Sequence, residues 1–194
     1  MTPPLLPTLV AYVLLAGFLV IERLLRRGHA ALTLKPGAAD RGSTLFVGLS
    51  FGVGLLAVVL APLLNADAIG PQLPLLIRWI GVVLMVLAVL LRIWASRTLG
   101  AFYTRTLVVG AQQRLIQAGP YRLVRHPGYL GTLVLWIGAG IAAGNGMILG
   151  GIALLFLVAY GYRVRVEEVM LTRSFGEAYR QYVRRTWKLI PFLY

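Results

Sequence analysis

No cysteine occurs in these 194 residues, which excludes a disulfide framework, a thiolate metal site and a cysteine nucleophile. Acidic residues are scarce as well, with six Asp and Glu against nineteen Lys and Arg. The two histidines, His29 and His126, have no His-x-x-x-His or Glu-x-x-His spacing, so no metal is expected. A Walker loop and a Gly-rich strand-to-helix turn are both missing, which removes a Rossmann-type cofactor site. So are repeats of solenoid length and low-complexity tracts.

What is present is hydrocarbon. The chain is 59% hydrophobic and only 13% charged, with a mean hydropathy of +0.81. That composition predicts an integral membrane protein built as one domain over 1–194. The net charge of +13 would point to nucleic acid in a soluble protein. Here the basic residues flank apolar runs, so they read as orientation signals and as attraction to anionic lipid, with no nucleic-acid partner.

The pattern predicts an all-α bundle of five transmembrane helices, each near the roughly 17–25 residues that a crossing needs. They fall at about Leu5–Leu25, Leu45–Leu64, Leu75–Ala95, Tyr129–Ala143 and Met147–Tyr162. The first run has no basic leader and no small-residue cleavage site, so it is expected to stay as a membrane helix. The last two share the turn Gly144-Asn145-Gly146 and should form an antiparallel hairpin. Residues 1–91 supply the N-terminal helices and 92–194 the core that carries the polar clusters. Every Lys and Arg except Arg78 lies in Arg23–Arg41, Arg92–Arg125 or Arg163–Lys188. Five crossings put those segments on one side, which places the N-terminus outside and the C-terminus in the cytoplasm. Gly48-x-x-x-Gly52 and Gly140-x-x-x-Gly144 read as close-packing pairs within the bundle. Ser174-x-x-Glu177 reads as a capping box opening an interfacial tail helix that runs to about Thr186, its apolar face formed by Phe175, Ala178, Tyr179, Tyr182 and Val183.

Ionisable groups are costly at a membrane boundary, and two dense clusters bracket the hairpin. The first contains Tyr121, Arg122, Arg125, His126, Pro127, Tyr129 and Gly131; the second is Glu167-Glu168. Folding the hairpin brings them to the same side. Pro127 suits the first position of a helix, where a missing N–H costs nothing. The free amides of that helix start, beside Arg122 and Arg125, can receive a carboxylate. Arg163–Glu167 and Arg165–Glu168 have helical spacing, but base before acid is the weaker order, worth a few tenths of a kcal/mol at most. A cation in the site explains the twin acids better. Tyr103, Tyr121, Tyr160, Trp94 and Trp136 read mainly as interfacial-belt aromatics, with stacking partners for an adenine ring among them.

Arg125-His126-Pro127-x-Tyr129-x-Gly131, the hairpin, Glu167-Glu168, then Phe175-Gly176-x-x-Tyr179-x-x-Tyr182 and Ile190-Pro191 together resemble the isoprenylcysteine carboxyl methyltransferase family, most closely its small prokaryotic members. The resemblance runs from Trp94 to the end. It implies an S-adenosylmethionine-dependent enzyme, releasing S-adenosylhomocysteine, that methylates a lipid-like or lipidated acceptor at the cytoplasmic boundary. It implies that Arg125, His126, Pro127, Tyr129, Tyr121 and the Gly131 region contact the cofactor, and that Gln113, Leu115 and Gln117 line its adenosine pocket. Glu167 and Glu168 would hold its cationic end, and Arg163 or Arg173, with Arg125 behind them, would steer the acceptor's carboxylate. Phospholipid N-methyltransferases and NADPH-dependent sterol reductases share parts of this pattern. A non-enzymatic membrane scaffold is the remaining alternative, and it leaves the glutamate pair unexplained.

Overall fold

The computed structural model describes residues 5–25, 40–67, 69–100 and 114–191, and every regular element among them is helical. In chain order they are α1 (Leu6–Leu25), α2 (Ser43–Ala66), α3 (Leu75–Leu99), a 3-10 turn at Gly119–Arg122, α4 (Pro127–Ala143) and α5 (Gly146–Arg185). Helices α1, α2, α3 and α5 are long and apolar enough to cross a membrane, and α4 is a shorter apolar helix. The chain is a multi-pass membrane protein.

Helix α4 is the centre of the bundle, buried along most of its length. Glycine lets α3 reach it. A Cβ on Gly81 would stand 2.6 Å from the Gly138 carbonyl oxygen, and one on Gly138 2.7 Å from the Gly81 carbonyl oxygen. Contact that close is how helices associate in lipid, where apolar burial drives nothing. On the α2 and α5 side, Trp136 stacks on Phe156 at 4.7 Å and meets Phe51 edge-on at 5.3 Å. Trp136 and Tyr160 are therefore core residues, not belt residues; nothing in sequence spacing separates the two roles.

The polar contacts sort to the two ends of the rods. At one end Asn65 donates to the Ala143 carbonyl, Asn145 accepts from the first amides of α5, and Arg78 donates to the Ala142 carbonyl and the Thr8 hydroxyl. At the other end lie Glu22, Asp40, Arg92, Arg125, His126 and the twin glutamates, so the hairpin does return the chain to the His-Pro start.

Two boundaries differ from the sequence reading. Helix α5 does not stop near Tyr162. It runs on to a break at Gly176, about 45 Å from its start and well beyond the hydrocarbon thickness, so the part after about Tyr162 stands outside the membrane. Loss of hydrophobicity after Tyr162 marks the exit from lipid, not the end of the helix. Ser174 is an exposed residue inside α5 rather than a cap. The break comes at Gly176, with φ 54° and ψ −125°, a conformation that side chains disfavour. Beyond it Tyr179 and Tyr182 face inward, whereas Ala178 and Val183 are exposed.

The two glycine pairs also divide. Gly140 packs on Leu149 of α5, but a Cβ on Gly48 or Gly52 meets nothing within 4 Å, so the α2 pair does not pack in the bundle. Gly48-Leu49-Ser50-Phe51-Gly52 has the letters of a nucleophile elbow, yet it lies within α2 and the Ser50 hydroxyl donates to the Phe46 carbonyl at 2.8 Å. A helix interior cannot make that elbow's sharp turn. Gly138→Ala should lower stability in detergent by about 1–3 kcal/mol through overpacking, while Gly52→Ala should leave it unchanged or slightly raised; thermal unfolding of the two variants measures the contrast.

Candidate functional site

The site starts from the segment entering α4. Gly119 has φ 55°, and a Cβ there would meet Thr98 Oγ1 at 2.8 Å, so the chain is pressed against the end of α3. Residues 123–126 then pair with the tail: Arg125 N–H donates to the Trp187 carbonyl at 2.8 Å, and Trp187 N–H to the Leu123 carbonyl at 2.9 Å. His126 N–H reaches the Lys188 carbonyl at 3.3 Å. His126 is the N-cap of α4 and Pro127 its first residue, but the imidazole makes no cap hydrogen bond. The ring instead lies flat over Tyr129, with centroids 5.6 Å apart and an interplanar angle of 8°.

Glu167 and Glu168 on α5 face that ring. His126 Nδ1 is 3.7 Å from Glu167 Oε2, and His126 Nε2 is 3.6 Å from Glu168 Oε1. Both are close approaches, too long for hydrogen bonds. Glu168 is held more tightly by others, Arg125 Nε at 3.0 Å and Lys188 Nζ at 3.2 Å. Burial alone would raise its carboxyl; His126 and Arg125 outweigh that and bring it down to about 2. Arg125 Nη1 also donates to the carbonyls of Val183 and Thr186, which end the tail helix. The Tyr182 hydroxyl donates to the Tyr121 carbonyl at 2.7 Å. Burial pushes the Tyr179 and Tyr182 hydroxyls up, so both stay protonated donors.

Three buried polar atoms in this cluster lack a hydrogen-bond partner: His126 Nε2, Glu167 Oε2 and the Tyr179 hydroxyl. Orphaned buried groups cost roughly 1–3 kcal/mol each. Their convergence on one spot fits a ligand that carries both donors and an acceptor.

The helical ion pairs read from spacing are supplemented by longer-range partners, though Arg163 still feels the Glu167 charge. Arg163 turns to Asp40, at 2.8 Å, and Arg165 is exposed, while Glu168 takes Arg125 and Lys188. Arg163 Nε meets the Tyr129 hydroxyl at 3.1 Å. The glycine at 131 gives close approach to α3, where a Cβ would lie 3.1 Å from the Ala88 carbonyl. Arg122, Arg173 and Gln117 are exposed and Leu115 is half-buried. Gln113, Tyr103 and His29 lie outside the described residues. Sequence reasoning missed Asp40, Lys188 and the Glu22–Arg92 pair at 2.7 Å, all joined to the site across long separations that no local spacing reveals.

Known proteins agree with this architecture. The family model described as phospholipid methyltransferase matches residues 76–178, from α3 through the glutamate pair to the tail, and the chain belongs to that family. It is 29% identical over 119 residues to a rice (Oryza sativa) protein named for protein-S-isoprenylcysteine O-methyltransferase, covering 60% of this chain and 62% of that one. It is 28% identical over 115 residues to protein-S-isoprenylcysteine O-methyltransferase B of Arabidopsis thaliana, 58% of each chain. The aligned region thus spans about three fifths of those relatives' length. The solved structure of a eukaryotic intramembrane Ras methyltransferase, ICMT, superposes with a TM-score of 0.68 at 22% identity, covering 96% of this chain and 68% of that one. That likeness defines the fold.

Glu168 titrates below the ordinary carboxylate range in the folded state. Its stabilisation is therefore complete above the unfolded value, about 4.3, and is lost as pH falls from there through about 2. Thermal unfolding of Glu168→Gln should be flatter across that acid window than the parent's. At neutral pH, Arg125→Met should cost roughly 1–3 kcal/mol by leaving the tail-helix carbonyls without their donor and Glu168 without one of its two close cations, and limited proteolysis should then cut the tail beyond Gly176.

Proposed function

We propose that this protein is an S-adenosylmethionine-dependent methyltransferase acting at the cytoplasmic edge of the bilayer. All five helices cross, the N-terminus lies outside, and the acceptor is a lipophilic carboxylate of the isoprenylcysteine kind for which its relatives are named. The observation that carries this reading is the meeting of His126 with Glu167 and Glu168 around three unpaired atoms. Family membership and the positive-inside charge pattern of the sequence support it.

When bound, S-adenosylmethionine supplies a methyl already activated on a sulfonium. Glu167, whose Oε2 has no hydrogen-bond partner, is the acceptor for the cofactor's cationic groups, and Glu168 adds negative potential while tied to Arg125. His126 Nε2 and the Tyr179 hydroxyl are the complementary donors. Pro127 and Gly131 contribute by setting the start of α4, and Tyr129 backs the imidazole. A carboxylate acceptor is already deprotonated near neutral pH, so the chain need provide no general base. It must provide alignment and a dry chamber, since charge attraction strengthens where water is excluded. The tail, folded back beyond Gly176 and pinned by Arg125, closes that chamber. Arg173, exposed further along α5, is the guanidinium assigned to meet the acceptor's carboxylate with its planar fork; Leu115, Gln117 and Gln113 are assigned to the adenosine end on the family resemblance.

The test is thermal unfolding of the purified protein with S-adenosylhomocysteine or NADPH. Ligand at about 100-fold its Kd adds about 2.7 kcal/mol of apparent stability. Stabilisation by S-adenosylhomocysteine alone, lost in His126→Ala and Glu167→Gln, is the expected result. Stabilisation by NADPH alone would identify a reductase, and a response to neither a scaffold.

A further inference from the structure

Both glycines in the first turns of α4 are accounted for by one residue of α3. A Cβ on Gly131 would stand 3.1 Å from the Ala88 carbonyl oxygen and 3.4 Å from the Arg92 amide nitrogen. A Cβ on Gly128 would stand 2.9 Å from Arg92 Nη1. Three residues apart on a helix, the two glycines share a face. They form a notch that admits the Arg92 backbone at one end and its guanidinium at the other. Inside that notch Arg92 Nη1 donates to the Gly128 carbonyl at 2.7 Å.

The other edge of the guanidinium is engaged by α1. Arg92 Nε donates to Glu22 Oε1 at 2.7 Å and Nη2 to Glu22 Oε2 at 3.2 Å. A two-pronged carboxylate contact fixes the plane of a guanidinium, so Glu22 aims Nη1 at its target. One carbonyl thus ties α1, α3 and α4 together. Its place in the chain matters, because Gly128 lies between His126 and Tyr129. Their rings stack at 5.6 Å, and both side chains meet α5, His126 at the glutamates and Tyr129 at Arg163. The start of α4 is not secured by its own N-cap, since His126 makes no side-chain cap bond. Arg92 supplies an anchor from outside the helix.

We propose that Arg92, aimed by Glu22, is a positioning residue: through the Gly128 carbonyl it fixes the first turn of α4, and with it the placement of His126 against Glu167 and Glu168. The expected effect on ligand affinity rests on the methyl-donor reading of the site; the placement of the imidazole does not.

The experiment uses the full chain in detergent with three readouts: thermal unfolding, calorimetric binding of S-adenosylhomocysteine, and the NMR signals of the His126 ring protons. Stacking on Tyr129 shifts those signals, and His126→Ala separates them from His29. Glu22→Met/Arg92→Met replaces the pair by apolar side chains, a change often neutral or stabilising for a buried pair. It should keep a parent-like unfolding midpoint, yet bind about tenfold or more weakly with the His126 signals displaced. Gly128→Ala pushes the guanidinium off the carbonyl while keeping every charge, and should displace the same signals and weaken binding in the same direction. Tyr12→Phe removes a hydrogen bond between α1 and α2; it should lower the midpoint and leave the signals in place and affinity within about twofold of the parent. A merely structural tie predicts that affinity follows stability. A double variant as stable as the parent, binding within twofold with its His126 signals unmoved, therefore overturns the proposal. So does a Tyr12→Phe that moves those signals as far as Gly128→Ala. Should the double variant be destabilised or unfolded, Gly128→Ala decides, and parent-like signals there overturn the proposal. A parent that binds no S-adenosylhomocysteine refutes the methyl-donor reading, while the His126 signals still test the positioning.

Discussion

Arg125 is bound from two directions at once, and the functional end of the molecule depends on it. Its Nε meets Glu168 on α5, and its Nη1 takes the last carbonyls of the tail helix. A cation at a helix C-terminus is favourable because unpaired carbonyls and the helix dipole converge there. A buried cation without a carboxylate would be costly. Both needs are met only if the tail turns back at Gly176 and lays its end beside the entry to α4. The backbone pairing of residues 123–126 with Trp187 and Lys188 and the capture of Glu168 by Lys188 then follow from the same return. Arg125 therefore decides where the tail lies, and the tail decides how enclosed His126 and the glutamates are.

Much of this was legible because the informative residues are near one another in the chain. A His-Pro helix start, a hairpin with a Gly-Asn-Gly turn and an acidic pair leave few ways to fold, and hydropathy alone sets the helices. The failures share a cause, which is that composition reports the solvent and not the backbone. Polar residues after Tyr162 announce water, and α5 continues through them regardless. Gly48 and Gly131 look alike as small residues, yet one faces open space and the other the α3 backbone. Asp40 was invisible for a different reason. It sits in a segment whose other charges are basic, and its partner Arg163 is 123 residues away.

The two ends of the bundle solve the same problem with different chemistry, and the difference shows in which end holds unpaired buried groups. At the Arg78 end, polar groups close on the exposed carbonyls of α4: Asn65, Thr8 and Arg78 all donate to Ala142 or Ala143. Arg78 has no carboxylate partner among the described residues; the Ala142 carbonyl and the Thr8 hydroxyl hold it. None of the unpaired buried atoms belongs to that set, so that end is a satisfied plug. At the other end the ion pairs are arranged so that charge is committed unevenly. Arg92 takes Glu22, Arg163 takes Asp40, and Arg125 with Lys188 takes Glu168. Each strong cation has an acid of its own, and Glu167 is left facing an imidazole at 3.7 Å. In a chain with nineteen basic residues and six acidic ones, Glu167 feels the Arg163 charge, yet its Oε2 accepts no hydrogen bond. Under the proposed methyl-donor reading, the pairing pattern across the site, more than any single residue in it, leaves one carboxylate oxygen for a cationic ligand.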